Sequence, residues 1–157
     1  MTTKAAFNAE EWSLVTTAPA LTAMTVMLAD RGGALRESVS MARAYADARR
    51  DGGSELVREV VSSPPALDRS QLGSATDVVE QASTRLHEAL DLLEAKATSD
   101  EVADYKRFVT AVADTVATAH REGGFLGVGG TDVSEKEQAA LDRIAATLGI
   151  PAKPAPG

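Results

Sequence analysis

Apolar residues return at helical spacing in every long segment of this chain, and nowhere do they alternate in the way a half-buried strand requires. The last segment shows the pattern most fully. Leu141, Ile144, Ala145 and Leu148 fall at i, i+3, i+4 and i+7, while Lys136, Gln138, Asp142 and Arg143 keep largely to the other face. Ser134 and Glu137 have the spacing of a capping box, and Glu135 puts negative charge at the positive end of the helix dipole. Gly149 stands where a left-handed cap belongs and Pro151 blocks continuation. These signals predict a helix over Glu135–Leu148.

The same reasoning sets out the rest of the chain. Residues 1–7 read as a flexible lead-in, after which Asn8 caps a first helix carrying Trp12 and Val15. Ala18 and Pro19 read as a break, with proline opening a second, almost wholly apolar helix to Ala29. A third helix runs from Ala34 to Arg50, DGGS at 51–54 stops it, and a short fourth covers Glu55–Val61 before Ser-Ser-Pro-Pro. Asp77 and Glu80 are the expected caps of a long helix with the stripe Val79, Ala82, Leu86, Leu90 and Leu93. Thr98 and Glu101 form a further capping box ahead of Val102, Tyr105, Val109, Val112 and Val116. The short turn between these two helices predicts an antiparallel hairpin. The expectation is an all-α, single-domain bundle of six to seven helices over residues 8–150, with a disordered, Pro-rich tail at 151–157.

Composition narrows the function. At 157 residues the chain is one domain by length, large enough to bury roughly two thirds of its unfolded surface. It has no cysteine, which removes disulfides, zinc–thiolate sites and cysteine nucleophiles. A formal charge of −7 repels nucleic-acid phosphates, and aromatic residues at 4% leave few stacking platforms. Neither histidine belongs to an HExxH or Glu-x-x-His pair, and no G-x-S-x-G elbow occurs, so no catalytic signature is present. No transmembrane segment or leader is read, and the expected location is the cytoplasm.

Two glycine-terminated helix ends echo each other. LADRGGALRE spans Leu28 to Glu37, and TAHREGGFLGVGGTDVSEKE spans Thr118 to Glu137; in each, an apolar helix ends in Ala, a candidate ligand, Arg and Gly-Gly, and a glutamate opens the next. Asp30 aligns with His120, and Glu37 with Glu137. Related as a pseudo-twofold repeat, the two junctions meet, and Asp30, Glu37, His120, Asp132, Glu135 and Glu137 become candidate ligands for a divalent cation, Ca²⁺, Mg²⁺, Mn²⁺ or Zn²⁺. The ordinary role of such acids is helix capping and surface pairing, and of such a histidine the hydrogen bonding of terminal carbonyls. The glycine-rich loop at 123–133 is either packed onto the helices by its own Phe125, Leu126 and Val128, or offers those residues to a protein partner or a membrane face.

On Ala29, Asp30, Gly32, Gly33 and Glu37 in the first half, and on Ser134, Glu135, Glu137, Leu141 and the ending Leu148-Gly149-Ile150 in the second, the chain resembles the TerB-like domains of tellurite-resistance operons. The resemblance covers residues 18–150, with His120 standing where the family pattern favours aspartate. It implies a helical bundle of related halves and a metal-associated or membrane-complex role in stress response, and the expected function is a non-enzymatic module that binds a divalent cation or scaffolds a protein complex through the two junctions. The alternative is a metal-free adaptor working through the glycine-rich loop.

Overall fold

The computed structural model describes residues 1–29, 34–63, 65, 67, 70, 72–122 and 135–151, with side chains over the same residues except 34–38 and 119–122. Six α-helices occupy the described residues: α1 (Ala9–Ala29), α2 (Ala34–Asp51), α3 (Glu55–Ser62), α4 (Ala75–Lys96), α5 (Ser99–Glu122) and α6 (Glu135–Leu148). A 3-10 turn at Lys4–Ala6 precedes them. No strand occurs among the described residues, so the all-α expectation holds.

The bundle is organised around α1, which packs most extensively on α4 and α5 and also touches α2, α3 and α6. Its residues from Val15 to Ala23 are all buried. The helix is continuous through Pro19, which corrects the expected break at Ala18–Pro19. Proline supplies no N–H to the carbonyl four residues back, so the Val15 oxygen loses its helical donor. The Tyr105 hydroxyl of α5 takes that place, donating to the Val15 oxygen at 2.7 Å from a fully buried position. Three threonines on the same helix turn their hydroxyls back to its backbone: Thr16 to Trp12, Thr22 to Ala18 and Thr25 to Thr22.

The caps are mostly where local chemistry puts them. Asn8 and Glu11 bond reciprocally at the start of α1, as do Thr98 and Glu101 at the start of α5. Gly149 lies at φ +67, and its N–H bonds to the Ala146 oxygen while that of Ile150 bonds to Ala145, a Schellman ending that closes α6 at the expected residue. At α4 the expected caps are displaced: Ser74 is the cap, Asp77 its capping-box partner at 2.7 Å, and Glu80 is exposed further along the helix. Ser74→Ala should lower stability by about 1 kcal/mol in urea denaturation, the usual cost of a lost cap.

The stripe of α4 is buried at Ala82, Leu86, Leu90 and Leu93, with Val78 and Ala89 beside them. Val79, expected within it, is only half-buried. The short turn expected between α4 and α5 is present at Ala97 and Thr98, but it does not pack the two helices closely. The two helices touch only sparingly; α1 is the chief neighbour of α4, and α2 and α1 are those of α5. An α1 that is apolar all round gives both stripes a better surface than they give each other.

Residues 1–7 are not a loose lead-in but a strap. Thr2 is buried and donates its N–H and hydroxyl to Glu101 at 2.6 and 2.7 Å. The Lys4 N–H donates to the Glu59 carboxylate. Phe7 packs on Trp12, ring centroids 5.7 Å apart, and Lys96 lies over the Phe7 ring while bonding to the Ala6 oxygen and the Glu11 carboxylate. Trp12, read as a core anchor, is buried.

Candidate functional site

Most of the residues expected to form a cation site lie outside the described part of the chain. This applies to Asp30 and Asp132, and to the side chains of Glu37 on α2 and His120 on α5. Phe125, Leu126 and Val128 lie outside it too. Of the candidate ligands, only Glu135 and Glu137 have described side chains, both in the first turn of α6. Glu135 is exposed, whereas Glu137 is 3% exposed and already engaged in an interaction. Among the described residues, no three metal-ligating side chains gather.

The structure instead shows an open groove of about 690 Å³ between the C-terminal half of α1, the N-terminal half of α4 and the length of α6. Its buried members form a floor: Thr22 and Thr25 of α1, Ala82 and Leu86 of α4, Ala140 and Ile144 of α6. The rim carries Leu28, exposed to 44%, with Val79 and Glu80 on the α4 side. On the α6 side it carries Lys136, Ala139, Arg143 and Thr147.

The threonines make this groove more apolar than its composition suggests. Thr22 and Thr25 spend their hydroxyls on their own helix at 2.7 Å, and Thr147 donates to the Arg143 oxygen at 2.9 Å. A side chain bonded in this way offers its methyl rather than a donor to a neighbour. Volumes between about 300 and 1,000 Å³ are those of ordinary ligand sites, which are chiefly apolar with a few placed polar groups.

Sequence reasoning placed Lys136 and Arg143 on the polar face of α6 and read the C-terminal half of α1 as an almost wholly apolar helix. The groove lies where those two surfaces meet. The one signal for it was the run Lys136, Ala139, Arg143 and Thr147, a second face of α6 with a small residue at its centre.

A strongly perturbed carboxylate lies elsewhere. Burial would raise the Glu101 pKa, but the backbone N–H groups of Thr2 and Thr98 and both their hydroxyls donate to the carboxylate at 2.6–3.1 Å and bring it down to about 2. A carboxylate held that far into its ionised form is a structural acceptor, far from the near-neutral pKa that proton transfer favours. Burial raises the phenol pKa of both Tyr45 and Tyr105. His87, on the outer face of α4, is exposed.

No protein family, curated protein or solved structure matches this chain. Among the described residues α1 alone is long and apolar enough to cross a bilayer, and 67% of that stretch is buried inside the bundle.

Proposed function

We propose that this chain is a non-enzymatic binding module, an all-helical scaffold of TerB-like type serving a cytoplasmic stress response, and that its binding surface is the groove between α1, α4 and α6. The observation that carries this reading is the groove itself: about 690 Å³ of open, mainly apolar space along three helices, with Leu28 exposed at its edge. An apolar concavity of that size is the default place for a ligand or partner to desolvate. The TerB-like resemblance supports the stress-response part. A second reading, a divalent cation held at the two helix junctions, rests on the spacing of Asp30, Glu37, His120, Asp132, Glu135 and Glu137 in the sequence.

One thermal-shift experiment tests both. The protein and its groove-filling variant Ala139→Trp are melted with apolar and amphiphilic ligands, with amphipathic peptides, and with Ca²⁺, Mn²⁺ and Zn²⁺. A ligand at a hundred times its Kd stabilises by about 2.7 kcal/mol, which is a rise of several degrees in Tm. The groove reading expects such a rise with an organic ligand and its loss in Ala139→Trp. A rise with a cation that survives Ala139→Trp and disappears in Glu37→Ala would move the function to the helix junctions. Flat melts throughout would overturn both readings.

A further inference from the structure

We propose that the groove takes a free long-chain fatty acid, its carboxylate held by Arg143 and its chain laid along α6, with Lys136 adding positive charge at the same rim. This rests on the reading of the groove as the binding surface. Three features select the ligand: shape, apolar lining and charge.

Shape favours an extended chain over a docked helix, of which an open groove this narrow would cover only one face. From Lys136 to Thr147 the groove follows α6 for about 16 Å at 1.5 Å per residue, so 690 Å³ leaves a cross-section of about 40 Å². An α-helix with side chains, about 10 Å across, needs roughly twice that. A polymethylene chain fits.

The lining asks for hydrocarbon. Leu28, Val79, Leu86 and Ile144 supply apolar surface, and the hydroxyls of Thr22, Thr25 and Thr147 are already bonded to their own helices. Burying a polar chain against such a floor would leave its donors and acceptors unpaired, whereas burying methylene groups gains about 0.8 kcal/mol each.

Charge fixes the head group. The chain as a whole is acidic, at −7, yet the α6 rim of this groove carries Lys136 and Arg143, and neither makes an ion pair among the described residues. Among the described lining residues the one acid, Glu80, belongs to α4. Lys136 and Arg143 stand seven residues apart on one face of the helix, about 10 Å along its axis. Arg143 has the planar fork that takes a carboxylate at two points, and Lys136 adds a second positive charge at the same rim.

The test is displacement of a fluorescent polyene fatty acid, below its micelle concentration, measured on the full chain. The proposal expects saturable one-to-one binding, competition by palmitate and no competition by an alkyltrimethylammonium ion of equal chain length. Arg143→Glu and Lys136→Glu should each weaken binding about tenfold or more, a change of 1.4 kcal/mol. Ala139→Trp should abolish it while leaving the helical circular dichroism intact. Equal competition by the cationic amphiphile, or binding indifferent to both charge reversals, would overturn the fatty-acid assignment. So would a groove that takes an acidic amphipathic peptide and refuses palmitate, although the binding-module reading would then stand. If neither palmitate nor any peptide binds, the groove reading falls with it.

Discussion

Tyr105→Phe should lower the unfolding free energy by about 2 kcal/mol, although it removes a single oxygen from the core. That oxygen carries the hydrogen bonded at 2.7 Å to the Val15 carbonyl, the acceptor that Pro19 leaves without a helical donor. With phenylalanine in place the carbonyl is buried and unsatisfied, which costs more than an average hydrogen bond contributes. Pro19→Ala supplies the missing N–H from within α1. In that background Tyr105→Phe should cost clearly less, and the double-mutant cycle should show a coupling of about 1 kcal/mol. Urea denaturation followed through Trp12 fluorescence reads all four proteins. Equal costs in both backgrounds would mean that the hydroxyl does not stand in for the lost proline donor.

Glu101→Ala should cost about 3 kcal/mol, because one carboxylate satisfies four donors that tie residue 2 to the α4–α5 turn. The pH dependence has a definite sign. The folded pKa of about 2 lies below the ordinary glutamate value of 4.5, so the carboxylate's contribution is complete above pH 4.5 and is lost as pH falls toward 2. The stability gap between the protein and Glu101→Gln should therefore be constant near neutrality and narrow below pH 4.5. A gap that stays level down to pH 2 would show that ionised Glu101 does not hold the strap.

How much of this could be read from the sequence depends on how far apart the interacting groups lie. The Thr98–Glu101 box, the Asn8 cap and the Gly149 ending were legible because each is settled within a few residues. Pro19 was misread because its rescue comes from Tyr105, 90 residues beyond the carbonyl it serves. The strap was read as loose for the same reason, since Thr2 finds its acceptor 99 residues away. Ser74 was overlooked because Asp77, the other half of its box, looked like a cap in its own right. The groove could not be read from any one segment: Thr22, Val79 and Arg143 acquire a common purpose only when α1, α4 and α6 meet. For the cation ligands, sequence spacing remains the whole of the argument, because Asp30 and Asp132 fall outside the described residues.

The placement of α1 also has a consequence for how the protein is made. The helix is covered chiefly by α4 and α5, whose residues follow it by dozens of positions. Translation therefore delivers the most water-averse part of the chain well before the surfaces that shelter it. Until residues near Val116 have left the ribosome, the nascent polypeptide carries an uncovered apolar rod, the kind of segment that chaperones hold and that otherwise clumps.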